Sequence, residues 1–286
     1  MNLWLGVAAG LLASLCWALA NIYIQRASIA LGPLRALFWG QVVGAGMLLA
    51  AAPLGAHAVR APPWGWCLVG SLASGVAYLS MFRAFASGPV SVLSPIIASW
   101  ALVSCQLGVV LLGEPMPWTR GVGAVAVVLG AVGLARGAGD REVGWVGRPR
   151  DAIALSAASS LAFGVMITSQ GPVASALGPA LAVLAIWGGQ WGLLAPWAAR
   201  ARLWSSWPPK EVRGALIGVG VFETGGFLAL NYGLGQAHVD VVAPAAGVSP
   251  LFTLLLARLL LREPVRGAQV LLAGLVVAGV ILLGLP

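Results

Sequence analysis

The residues of this 286-residue chain that are best suited to chemistry are few. Foremost is Glu223, in the stretch GVFETGGF, Gly220 to Phe227, within an otherwise aliphatic, aromatic and glycine-rich run. An ionisable side chain in such a run is costly and marks a functional candidate, because it must face protein, water or a cavity. A carboxyl group there can take up and release a proton, or meet a cationic group on a ligand. Phe227 and Asn231 follow it at helical spacing, on one face. A second face, near the N-terminus, carries Ser14, Trp17, Asn21 and Gln25, and a third carries Ser71, Ser74 and Tyr78. Aromatic rings mixed with a few polar groups suit a small amphipathic ligand. His238 and Asp240 stand two apart, but no nucleophile accompanies them. The sequence has no phosphate-cradling glycine loop, no Ser–His arrangement and no metal-ligand spacing. No enzyme chemistry, cofactor or metal is expected.

These residues lie in a chain that is 60% hydrophobic and only 8% charged, far below the quarter or so of a soluble protein. The composition is that of a membrane protein, and the length suits about ten helices of roughly 20 residues. The breaks fall at LGP (31–33), SGP (87–89), GEPMP (113–117), LGP (177–179) and REP (262–264), where proline or glycine meets charge. They predict helices over Leu3–Gln25, Leu34–Ala52, Trp64–Ala86, Val90–Leu112, Trp118–Ala135, Asp151–Gln170, Pro179–Ala199, Glu211–Gly235, Val239–Leu261 and Val265–Leu283. The first apolar run lacks a basic leader and is longer than a signal core, so it is read as a span. Cys16, Cys67 and Cys105 lie inside apolar segments and read as small core residues.

Of the 16 lysines and arginines, 14 lie beside the loops after odd-numbered helices, and only Arg60 and Arg120 lie on the other side. The net charge of +8 is therefore a topology signal rather than a nucleic-acid-binding face. It places the arginine-rich side in the cytoplasm and both termini outside.

The chain also repeats itself. At a shift of 149 residues, the segment from Gly75 lies over that from Thr224, Pro95 over Pro244, Glu114 over Glu263, and Ser74 over Glu223. Five helices per repeat is an odd number, so the second copy enters the membrane from the opposite face. The fold class expected is an all-α membrane protein of ten transmembrane helices in two inverted five-helix repeats: residues 1–135, a linker at 136–150, and residues 151–286. Paired mid-helix prolines, Pro95 and Pro244, are candidate hinges flanking a binding site. Ala126 and Gly130, with Gly274 and Ala278, are small residues at four-residue spacing that would let helices five and ten pack closely.

The closing helices of the two halves, LVSCQLGVVLLGEP (Leu102–Pro115) and SPLFTLLLARLLLREP (Ser249–Pro264), resemble those of EamA-type transporters of the drug/metabolite transporter superfamily. The first half departs from the pattern, with Ala101 where the second has Pro250. The resemblance implies a bacterial inner-membrane protein with a central cavity walled by helices one, three, four, six, eight and nine. It further implies alternating access and a small-molecule substrate such as an amino acid, with protons as the coupling partner. Sugar-phosphate or nucleotide-sugar exchange and a lipid-handling scaffold are the alternatives. The expected partners are substrate, protons and membrane lipid, in a monomer or a weak homodimer; nucleic acid is not among them.

Overall fold

The computed structural model describes residues 3–54, 61–112, 117–137, 145–204, 207–236, 242 and 245–284, all within a bundle of helices; no strand occurs among them. We number the helices by span: α1 (Leu3–Leu31), α2 (Pro33–Ala51), α3 (Trp64–Ser87), α4 in two pieces (Val90–Ala98 and Trp100–Leu112), α5 (Trp118–Gly137), α6 (Pro149–Leu177), α7 (Pro179–Arg200), α8 (Lys210–Gln236), α9 (Ser249–Leu256, closing in a π turn over Ala257–Leu261) and α10 (Gly267–Gly284). Eight of these are long and apolar enough to cross a membrane, and α9 and α10 are shorter apolar helices. Helices are the form in which a chain can satisfy its backbone groups in hydrocarbon.

Helix ends follow backbone chemistry rather than charge. The sequence stops helix one at Gln25, but α1 runs on through Arg26 to Leu31 and ends only at Gly32. A charged side chain marks where a helix leaves the bilayer, not where its hydrogen bonds stop. Likewise α6 continues past Gln170 through Gly171 and Pro172 to Leu177. Both LGP sequences make the same turn. Gly32 has φ 82° and Gly178 has φ 82°, a region that glycine alone enters without strain, and a proline then opens the next helix.

The packing obeys the repeat. α1 packs on α8 as α6 packs on α3, α2 on α8 as α7 on α3, and α5 on its own counterpart α10. The turn after α1, the turn after α3, the start of α6 and the end of α9 gather at one end, which we call the arginine-rich end. There Gln25 Nε2 donates to Gly88 O at 3.0 Å, Arg26 Nη2 to Leu260 O at 2.9 Å, and Val146 N to Ser87 O at 2.9 Å. The α6–α7 turn lies at the far end, against the start of α3.

α5 and α10 approach through Gly130, as expected, but on the α10 side through Gly279 rather than Gly274 and Ala278. A Cβ on Gly123 would lie 2.7 Å from Gly279 O, and one on Gly130 would lie 2.8 Å from Leu272 O. Gly274 meets nothing within 4 Å, and Ala278 is exposed. Spacing identified the helices involved, but not which face of α10 they share.

Candidate functional site

The sequence-level candidates on α1 and α8 meet in one central cavity of about 330 Å³. Glu223, Phe227 and Asn231 reach it from α8, Trp17 and Asn21 from α1, and Phe163 and Gln170 from α6. The remaining wall includes Met81 and Phe85 of α3, parts of α4 and α9, and Pro179 and Val183 of α7. Among the described residues lining it, Glu223 is the one ionisable group.

Glu223 sits about halfway along α8, roughly 20 Å from either end at 1.5 Å per residue, too deep for its side chain to reach the surface. It is half-buried, and its Oε1 accepts a hydrogen bond from the Tyr78 hydroxyl at 3.0 Å. Gly225 and Gly226 follow it, and a Cβ on Gly226 would lie 2.5 Å from Trp17 Nε1, so the indole rests directly on the α8 backbone. Trp17 meets Phe227 edge-on at 5.6 Å, and Phe163 meets Tyr78 edge-on at 5.0 Å. These are equivalent pairs of the two repeats, Trp17 with Phe227 and Phe163 with Tyr78. The pseudo-symmetry thus extends to the site, and Glu223 breaks it.

Asn21 is held in place. Its Nδ2 donates to Ser94 Oγ and to Thr253 Oγ1, each at 3.2 Å, tying α1 to both α4 and α9. Asn231 lies on the cavity wall nearer the far end. Tyr78 and Ser74, expected on the wall, lie behind it. Tyr78 is buried and touches the site through Glu223, while Ser74 is fully buried and donates to Gln190 Oε1 at 2.5 Å. The polar stripe of α1 divides the same way. Its middle lines the cavity, Gln25 bonds to Gly88, and Ser14 is buried without a partner.

The helices beside the cavity are interrupted in register. α4 breaks at Ser99, four residues past Pro95, where Ser99 Oγ bonds Ile96 O at 2.6 Å and Ser160 Oγ at 2.8 Å. A serine hydroxyl that takes up a helix carbonyl competes with the ladder and bends it. In the second repeat the chain turns at the matching place, Gly247–Val248, before α9. Ala98, Gly247 and Pro250 beside these breaks all line the cavity. Broken helices at a central cavity are how membrane transporters expose backbone to a ligand. Pro244, the second candidate hinge, lies outside the described residues, as do Glu114, His238 and Asp240.

The two ends of the cavity differ. It reaches the far end at Ala174 and Pro179. The arginine-rich end is closed by the bonds from Gln25 and Arg26 and by Glu263, whose two carboxylate oxygens accept from Val90 N at 2.9 Å and Ser91 N at 3.0 Å. The free backbone donors at the start of α4 are thereby satisfied by a carboxylate from the opposite repeat. Arg83, near this end, lies 5.8 Å over the Trp197 ring.

Sequence reasoning missed Gln170. It lines the cavity, and its Nε2 is buried without a partner, making it a donor available to a ligand. A lone amide in an apolar helix carries no motif. Among the described residues no three His, Cys, Asp or Glu side chains converge on a metal-sized site.

A known crystal structure superposes on the chain with a TM-score of 0.65, over 96% of each chain at 18% identity, which bears on the fold alone. No curated protein matches the chain significantly. The model of the EamA-like transporter family matches residues 4–136 and again 151–285, one match per repeat. The chain is a multi-pass membrane protein of a family of small-solute transporters, and it belongs to the EamA-like transporter family.

Proposed function

We propose that the chain is a secondary active exporter of small amphipathic metabolites that carry an ammonium group, such as amino acids. It works by alternating access, with Glu223 exchanging a proton for the solute's cationic group. The observation that carries this reading is that Glu223 is the single carboxyl among the described lining residues, set among aromatic and aliphatic walls. An ammonium group placed at Glu223 replaces the hydration it loses, and an apolar side chain packs on Trp17, Phe163 and Phe227. The carboxylate of an amino acid would find an unpaired amide donor in Gln170 Nε2. Exchange of sugar phosphates or nucleotide sugars would call for cationic side chains at mid-depth, and the described lining offers none.

The substrate class is tested by counterflow in reconstituted vesicles. Vesicles loaded with unlabelled leucine should take up labelled leucine. Vesicles loaded with glucose 6-phosphate should not take up its labelled form. The reverse pattern would reject the ammonium reading.

The proposed location is a bacterial inner membrane with both termini on the extracytoplasmic side, on the strength of the arginine distribution. Alkaline phosphatase fused to the C-terminus should be active, and a fluorescent protein fused there should stay dark. Bright cytoplasmic fluorescence would reverse the orientation.

A further inference from the structure

α2 and α7 are counterparts in the two repeats, and each carries a buried glutamine just after a tryptophan–glycine step: Trp39-Gly40-Gln41 and Trp187-Gly188-Gly189-Gln190. The two meet between the halves. Gln190 Nε2 donates to Gln41 Oε1 at 2.9 Å, and Trp191 Nε1 donates to the same oxygen at 2.6 Å. Two donors on one oxygen fix the orientation of the Gln41 amide. Gln190 Oε1 in turn accepts from Ser74 Oγ.

Exchanging the repeats turns Gln190 into Gln41 and Ser74 into Glu223. The counterpart of the Ser74–Gln190 contact is therefore one between Glu223 and Gln41, and this conformation lacks it. Glu223 accepts from Tyr78 instead, and Gln41 Nε2 is buried with no partner. Thr224 Oγ1 and Trp187 Nε1 are also buried without partners. They lie together beside Gly44, one turn beyond Gln41, where a Cβ would meet Thr224 Oγ1 at 2.5 Å and the Trp187 ring at 3.1 Å. Buried donors left unpaired cost free energy, which a second conformation can recover.

We propose that Gln41 is a positioning residue for Glu223. In the conformation open at the arginine-rich end, Gln41 Nε2 donates to the Glu223 carboxylate, taking the place that Gln190 holds beside Ser74 here. The inference rests on the reading of Glu223 as the exchanging group. An amide donor in a dry site favours the carboxylate over the neutral acid, so loss of the proton draws the bundle toward that conformation and closes the far end. Other titratable groups around Glu223 are Tyr78 from α3, and Cys16 and Tyr23 from α1. Cys16 Sγ lies 3.7 Å from the Cβ position of Gly225, and Tyr23 is stacked on Phe222 at 5.5 Å. α2 brings Gln41 to this side of the site and α7 brings Trp187, neither of which titrates.

The test needs no substrate. Spin labels placed by Ala174→Cys and Tyr232→Cys, with the three native cysteines changed to alanine, report the far-end opening on the purified full chain. Between about pH 4 and about pH 9, a range that reaches down to ordinary carboxyl titration, the short-distance population should rise about threefold or more. Gln41→Leu should flatten that rise. Gln190→Leu, which disrupts the same network but not the donor to Glu223, should keep it. If Gln41→Leu folds poorly, the Gln41→Leu/Gln190→Leu pair removes both halves of the amide contact and should be equally flat. A Gln41→Leu response equal to that of the native chain, or no response in the native chain, overturns the proposal. Glu223→Gln separates the two ideas. A full response in Glu223→Gln removes Glu223 as the exchanging group. A flat Glu223→Gln beside a responsive Gln41→Leu keeps Glu223 and removes Gln41.

Discussion

Glu223→Gln is expected to erase gradient-driven solute accumulation in reconstituted vesicles while leaving the fold intact. With one proton exchanged per solute, a gradient of one pH unit is worth about 1.4 kcal/mol and drives solute about tenfold onto the acidic side. The amide keeps the size of the carboxyl group and can still bond Tyr78, so packing around Trp17 and Phe227 is preserved. It cannot gain or lose a proton. The accumulation ratio should therefore fall from about ten to about one. Melting should shift little. Native-like accumulation in this variant would take Glu223 out of the mechanism.

A second large effect is expected far from the cavity. Gly279→Leu places a Cβ 2.7 Å from both Gly123 O and Val127 N. Both are backbone atoms and cannot rotate away, so α5 and α10 must separate. Packing of this kind is what holds helices together in lipid, where no hydrophobic force separates apolar faces from the bilayer. The cost should be about 1–3 kcal/mol, read as a lowered Tm in detergent. Gly274→Leu, on the same helix with nothing within 4 Å, should leave Tm unchanged. Equal losses in the two variants would show that α10 does not use the Gly123–Gly279 face.

That pair also shows where sequence reading stops. Four-residue spacing of small residues picked out α5 and α10, but the period is common to every face that carries glycine. Only the partner helix decides between Gly274 and Gly279. The LGP turns were legible because glycine at positive φ followed by proline is written in residue type. Glu223 and Asn21 were legible because a polar or ionisable residue inside an apolar run is conspicuous, and Trp17 and Phe227 because each stands four residues from one of them, on the same helix face. Ser74 and Tyr78 show the limit of that logic. Both satisfy the rule that polar groups avoid lipid, yet one bonds Gln190 and the other backs Glu223 without lining the cavity. Gln41 and Gln190 were within reach of the repeat. The same 149-residue shift that lays Pro95 over Pro244 lays Gln41 over Gln190, with only the preceding tryptophans, Trp39 and Trp187, one residue out of register.

The helix breaks give the same lesson from the other side. Pro95 lies in the helix that breaks, but the break in α4 falls at Ser99, four residues on. Proline withdraws one backbone donor. The serine hydroxyl, bonded to Ile96 O and Ser160, then sets where the helix parts.

Competition between proton and solute at Glu223 is the core of this account, and binding at two pH values tests it most directly. Purified protein would be heated with leucine and with other amino acids at about pH 4 and about pH 8, native chain beside Glu223→Gln. Stabilisation by a ligand follows its affinity, so Tm reports binding. A cationic group competing with a proton binds better where the carboxyl is ionised. The account expects a larger Tm rise at the higher pH in the native chain, and equal, small rises in Glu223→Gln. Rises that are the same at both pH values in the native chain, or unchanged by the mutation, would contradict it.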